Sequence, residues 1–252
     1  MAERYHSPVI DTRNLFAPLH AELMSLLRGL KADDWEKPTI ARAWRVRDVA
    51  AHLLDTQLRR LSGQRDGHRV APDRPLVEFV NHLNATWVDT ARRFSPRVIV
   101  DLLDVTGQTF AAFIETLPLR ERAHFSVSWA GEDESENWMD IGREYTEWWH
   151  HQMQIRDAVG APLLLDAKWL APLLSLSVRA IRPSAPTLLI VDAYQFALGP
   201  DGAPIVTIRT DADTAWRMLF NALSREEIAA RVMIEGDENA ARAVVDARSV
   251  IV

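Results

Sequence analysis

Leu15, Leu19, Leu23, Leu26, Leu27 and Leu30 recur at three- and four-residue steps, the spacing that gathers side chains on one face of an α-helix. The pattern continues through the first 160 residues and then stops, and that switch limits the folds open to the chain. A helix is expected from about 11 to 30. A second is expected from about 46 to 61, with Val49, Leu53, Leu54 and Leu58 on one side, and a third from about 76 to 93. Ser95-Pro96 reads as the start of a fourth, because proline fits the first helical turn, and this helix ends near Pro118. Residues 119–137 are polar, with an acidic run over 131–136, and read as a long surface connection. A helix from about 139 to 159 follows, stopped by Gly160 and Pro162. Long amphipathic helices in sequence predict an antiparallel bundle over residues 1–160.

Beyond residue 160 the period changes. A helix is expected over about 167–181. Residues 187–193 and 204–210 are rich in β-formers and are expected to be joined through a Gly-Pro-Asp-Gly turn at 199–202. A helix over 211–223, a short strand over 231–235 and a helix over 237–247 complete a small α+β unit, residues 161–252. The fold class expected is α+β, mostly α.

The chemistry available is narrowed by what the chain lacks. With 252 residues and 48% hydrophobic content there is material for a real core. A net charge of −6 argues against a general binder of phosphate backbones, so no nucleic-acid partner is expected. There is no cysteine. Disulfides, thiolate ligands and a cysteine nucleophile are thereby excluded, any metal must be held by His and carboxylate, and any thiol chemistry needs a small-molecule thiol. The first residues lack a basic start followed by an apolar run, and no stretch reaches roughly 18 uncharged apolar residues. A cytoplasmic protein without membrane contact is expected, monomeric or homodimeric.

Glu147 and His151 lie four residues apart on the expected last bundle helix, so a carboxylate oxygen and an imidazole nitrogen share one face. His52, in the middle of the apolar stretch Val49-Ala50-Ala51-His52-Leu53-Leu54, is the candidate third ligand. A His₂Glu set leaves a coordination position open, as catalytic sites require. The plainer readings stand beside it: His52 as a hydrogen-bonded core histidine, and Glu147 with His151 as a surface pair. Glu144, one turn earlier, reads as a supporting group or a surface acid. Trp148 and Trp149 read as core or rim, and His6, His20, His68, His82, His124 and His150 as solvent or core residues. Two Glu-x-x-His pairs, Glu147/His150 and Glu121/His124, also suggest a di-iron bundle, but Glu121 and His124 follow Pro118 in a mixed segment poorly placed to point into one. No phosphate loop, Walker A sequence, G-x-S-x-G elbow or H-E-x-x-H occurs.

The stretch Trp44-Arg-Val-Arg-Asp48-Val-Ala-Ala-His52-Leu resembles the W-x-V-x-D-x-x-x-H-L opening of the metal-binding domain of the mycothiol-dependent maleylpyruvate isomerase family, a branch of the DinB/YfiT-like bundles. Asn84, followed by Arg93-Phe-Ser-Pro96, resembles the family's passage from third to fourth helix. Glu147-x-x-x-His151-x-x-x-Ile155-Arg156-x-Ala158-x-Gly160 is similar to its last bundle helix, with Gln154 where the pattern usually has Asp. Residues 216–245, with Leu223-Ser-Arg225 and Glu235-Gly236-Asp237, are similar to its small sterol-carrier-like C-terminal domain. The resemblance implies a DinB-like four-helix bundle over 1–160, a small α+β domain over 161–252, and a divalent metal, usually zinc, on His52, Glu147 and His151. It also implies that Arg225, with Ser224 in place of the family's glycine, faces the active site as a catalytic residue able to grip a substrate carboxylate. A surface arginine at a helix end is the competing reading.

The resemblance implies a low-molecular-weight thiol such as mycothiol as cofactor, acting on a small electrophile by S-transfer or by cis–trans isomerisation. Zinc, nickel, iron and manganese all accept this donor set. Two other functions use the same residues: a hydrolase with metal-activated water, and a non-catalytic metal- or ligand-binding stress protein.

Overall fold

The computed structural model describes residues 8–247 apart from 42, 69, 126 and 128–133. The chain's first residues, His6 and positions 131–133 of the acidic run therefore lie outside the described residues.

Two compact units form. Among the described residues, one comprises 13–117 and 147–163, the other 8–12, 118–146 and 164–247. The first unit holds α1 (Phe16–Gly29), α2 (Val46–Arg60), α3 (Leu76–Ala91), α4 (Pro96–Glu115) and the second half of α5 (Asn137–Val159). The chain leaves this unit for good after Leu163, three residues beyond the glycine at which the sequence pattern changes. The stretch 118–146 groups with the later residues, so compactness divides the chain differently from a single cut at 160.

The bundle closes because each helix turns one apolar stripe inward. Phe16, Leu19, Leu23 and Leu27 of α1 are buried, as are Val49, Leu53 and Leu54 of α2 and Leu103, Phe110 and Ile114 of α4. Trp148 of α5 fills the space between, its ring 5.3 Å from Phe16 and 5.0 Å from Phe110. Gln152 of α5 donates to the Leu19 carbonyl at 3.0 Å. Helix α3 buries only Val88 and Ala91 and leaves Leu76 and Val77 exposed. It is tied to α2 through Trp87 Nε1 on the Ala51 carbonyl (2.8 Å) and Arg59 on Asn84 Oδ1 (2.8 Å).

One close approach sets the spacing of α1 and α4. A Cβ added at Gly107 would lie 2.2 Å from Cε1 of the buried His20 ring. Helix propensity favours alanine over glycine by about 1 kcal/mol. Forcing a methyl group into a filled core costs about 1–3 kcal/mol, and a buried ring cannot swing aside as an exposed chain end does. Gly107→Ala is therefore expected to destabilise the protein, and to become neutral or stabilising when combined with His20→Ala, which removes the obstructing ring. Urea unfolding of the four proteins of this cycle measures both signs.

In the other unit, α6 (Ala167–Ser177) precedes β1 (Thr187–Val191), β2 (Tyr194–Leu198) and β3 (Val206–Thr210). Then come α7 (Ala212–Leu219), α8 (Arg225–Arg231), β4 (Met233–Gly236) and α9 (Glu238–Val245). The sheet order is β2-β1-β3-β4, with β1 and β3 parallel and both outer pairs antiparallel. Thr187, Leu189 and Val191 are buried on β1 and stand in register with the buried Val206, Ile208 and Thr210 of β3.

Two elements differ from the sequence reading. The 199–202 turn does not join β1 to β3, which run parallel and cannot be linked by a tight turn. It carries the chain from the additional strand β2 to β3, across the starting end of β1. Gly199 is needed there, at φ +83 with the Ala185 and Pro183 carbonyl oxygens 2.6 and 2.8 Å from where a Cβ would sit. Helix α8 occupies residues for which the sequence predicts no element, and takes in Arg231, the expected first residue of the strand. The connection 119–137 is also not wholly a surface segment: Val127 is fully buried, its N–H donating to Ser135 Oγ at 2.8 Å, and residues 122 and 136 form a β-bridge. Among the described residues no helix is long and apolar enough to cross a membrane.

Candidate metal centre

His52 reaches the bundle interior because α2 starts firmly, six residues before it, at Val46. Asp48 Oδ2 accepts from the Arg45 N–H at 3.0 Å, capping the first turn. The same carboxylate, almost fully buried, takes two bonds from Arg92, from Nε at 3.1 Å and from Nη2 at 3.3 Å. Helix α5 brings Glu147 and His151 to the facing side, one turn apart.

The three side chains converge. Each offers a ligand atom, and these atoms all lie within 4.8 Å of one another. The His52 and His151 rings meet edge to face at 4.7 Å between centroids. Glu147 Oε2 stands 3.2 Å from His151 Nε2. His52 and His151 are buried. Trp44, from the loop before α2, lays its ring 4.8 Å from His52 and 6.2 Å from His151. That loop is pinned where Thr39 donates to the Trp44 carbonyl through both its N–H (3.1 Å) and its hydroxyl (2.8 Å).

The donor set fits a divalent cation on two observations. His52 Nδ1 is buried and has no hydrogen-bond partner, an expensive state for a polar atom unless something is meant to meet it. Burial, with His151 and Arg59 nearby, holds His52 well below its ordinary value of 6.5, so its ring is neutral and keeps a lone pair for coordination. Among the described residues this is the one cluster of His, Asp and Glu able to share an ion. Glu121 and His124, the second half of the di-iron alternative, lie outside any helix and in the other unit.

Residues 16–156 match the family described as the mycothiol maleylpyruvate isomerase N-terminal domain. The chain belongs to this family. Two solved structures share its fold. One is the mycothiol-dependent maleylpyruvate isomerase, at a TM-score of 0.62 and 11% identity, with 93% of this chain and 96% of that one covered. The other is a histidine-to-alanine mutant of that protein, at a TM-score of 0.57 and 12% identity over the same shares. Comparison with curated proteins gives no match. The matched residues include His52, Glu147 and His151.

The remaining expected site residues fall as follows. Glu144 is buried and accepts from Arg143 at 3.3 Å, so it is not a surface acid. Trp148 and Trp149 are both core residues. Arg225 opens α8 directly after its N-cap Ser224, belongs to the α+β unit, and pairs with Asp246 at 3.2 Å while its side chain is 80% exposed. Two residues gain weight that the sequence did not give them. Trp44 stood inside the family motif without a role and turns out to pack on two of the three candidate ligands. His150, read as solvent or core, is buried and bonded to Gln154 at 2.8 Å; its four-residue spacing from Gln154 was the available signal.

Proposed function

We propose that this protein is a divalent-metal enzyme that uses a low-molecular-weight thiol of the mycothiol type to isomerise, or transfer sulfur to, a small electrophile. The reading is carried by one observation: two imidazoles and a carboxylate from α2 and α5 bring ligand atoms within 4.8 Å of one another. Family membership supports the thiol, since the family and the similar solved structure are both named for mycothiol and maleylpyruvate. The missing cysteine supports it as well, because the nucleophilic sulfur must then come from outside.

His52, Glu147 and His151 would hold the cation, with zinc the first candidate. When bound, it supplies the positive charge that keeps a thiol deprotonated at neutral pH. The rest falls to the chain's own groups. His52, neutral and buried, presents a lone pair without first having to lose a proton. Glu147 brings a negative charge that offsets part of the cation's. Trp44 covers the histidine edges and keeps bulk water from that side. Isomerisation by addition and elimination balances without a redox partner: sulfur bonds to one carbon of a conjugated C=C, the former double bond rotates, and the C–S bond breaks to return the thiol. We also propose Arg225 as the group that grips a substrate carboxylate; it is supported by the family likeness and by its exposed guanidinium.

Calorimetric titration of mycothiol into zinc-loaded protein tests the thiol reading. Binding that disappears on chelation, and that glutathione does not match, is the expected result. A zinc-loaded protein that ignores every thiol but hydrolyses activated esters would replace the reading with metal-activated water. One that binds zinc and does neither would make the ion structural.

A further inference from the structure

Gln154 touches two histidines at once. Its Oε1 lies 2.9 Å from His151 Nδ1, and its Nε2 lies 2.8 Å from His150 Nε2. All three side chains are buried, so each of these contacts has to be a real donor–acceptor pair. A primary amide donates only from nitrogen and accepts only at oxygen. The amide nitrogen therefore requires a bare His150 Nε2, which places that ring's proton on Nδ1. The amide oxygen requires a proton on His151 Nδ1, which leaves the lone pair of Nε2, the atom facing Glu147 at 3.2 Å, as the one a cation can use.

Turning the amide over gives the opposite pattern. His150 would then carry its proton on Nε2, and His151 Nδ1 would be bare. The His151 proton would sit on Nε2, in the space between the candidate ligands. The two patterns are mutually exclusive, and one of them blocks the site.

We propose that Gln154 is a positioning residue that locks the proton of His150 onto Nδ1 and that of His151 onto Nδ1, keeping His151 Nε2 directed at Glu147 and available as a ligand. The lock needs an amide. A carboxylate at 154 accepts from both rings and donates to neither, so it keeps the His151 proton in place but pulls the His150 proton across to Nε2. A hydrocarbon side chain at 154 removes the contact that links the two rings. Groups that orient a ligating histidine are worth about 10–100-fold in metal affinity. The inference deepens the proposed function, yet its first readout needs no metal.

The test is long-range ¹H–¹⁵N NMR on metal-free protein labelled at histidine nitrogen, for the wild type, Gln154→Glu and Gln154→Leu, followed by zinc titration of each. In the wild type, His151 Nδ1 and His150 Nδ1 should be protonated and His150 Nε2 bare. In Gln154→Glu, which preserves side-chain size, the His150 proton should move to Nε2 while His151 Nδ1 stays protonated. Gln154→Leu should weaken zinc binding about 10–100-fold. A wild-type His150 protonated on Nε2, or a Gln154→Glu protein with unchanged His150 signals, overturns the lock. Wild-type protein with the expected nitrogen signals but no zinc binding leaves the lock standing and defeats the metal reading instead.

Discussion

His52→Leu should abolish stoichiometric zinc binding and leave the metal-free protein as stable as the wild type, or more so. The two effects come from the same side chain. His52 lies in the apolar run of α2, buried, with Nδ1 unpaired. Hiding an unsatisfied polar group costs about 1–3 kcal/mol. Leucine, close in size, relieves that cost and packs against the same neighbours. Removing groups that merely orient a ligand already weakens metal sites by about 10–100-fold, so loss of one of three direct ligands should exceed that. Zinc at about a thousand times its Kd should add about 4 kcal/mol to wild-type stability and nothing to His52→Leu. His151→Ala should lose zinc in the same way. Chelator-stripped proteins titrated with zinc, with thermal unfolding recorded at each step, give both readouts. Equal zinc stoichiometry in wild type and variants would remove these residues as ligands. A metal-free His52→Leu protein much weaker than the wild type would identify His52 as a core residue after all.

The parts of this arrangement that the sequence displays are those set by helical period. Glu147 and His151 sit one turn apart on any α-helix, and His52 is conspicuous as the polar residue in an apolar stretch, so the candidate ligands can be picked out before any fold is known. That they face one another depends on the register of α2 against α5, which packing decides. The direction of the Gln154 amide is invisible for a related reason: its two neighbours on the helix accept either orientation until burial forces a choice. Trp44 lies in a loop, where no period predicts what its ring covers.

In the α+β unit, the strand missed by sequence is the edge strand β2. None of its residues is buried, but Tyr194, Phe196 and Leu198 alternate with Gln195 and Ala197, a period-two signal as legible as that of β3. Its turn from β1 rests on Asp192 at φ +49 rather than on a glycine, and Asp is among the few other residues that enter that region readily. Helix α8 did carry a readable signal. Ser224 Oγ accepts from the Glu227 N–H at 3.2 Å, and the Glu227 carboxylate accepts from the Ser224 N–H at 2.8 Å, the reciprocal cap that Ser-x-x-Glu announces.

Metal-free protein should lose stability steeply as pH falls below about 6.5, the ordinary histidine value. His20, His52 and His150 are each pushed down from that value, chiefly by burial. A histidine whose folded value is depressed stays neutral in the native state and protonates on unfolding. Below 6.5 the unfolded chain thus holds more protons, and the free energy of unfolding falls with falling pH until the folded value is reached. Each such group contributes at most about 1.4 kcal/mol per pH unit, and three contribute about 4, against a typical total of about 5–15 kcal/mol. His20 should drop out of this sum first, because Asp104, 3.8 Å from its Nε2, opposes the effect of burial. His20→Leu, away from the candidate ligands, should therefore flatten the slope below pH 6.5 by less than about 1.4 kcal/mol per unit, with little change further down. Urea midpoints measured in half-unit steps from pH 7.5 to 5 give the slope for both proteins. A wild type whose midpoint holds steady or rises toward acid would show that these imidazoles are not kept neutral by burial, and with them would go the lone pair on which coordination by His52 depends.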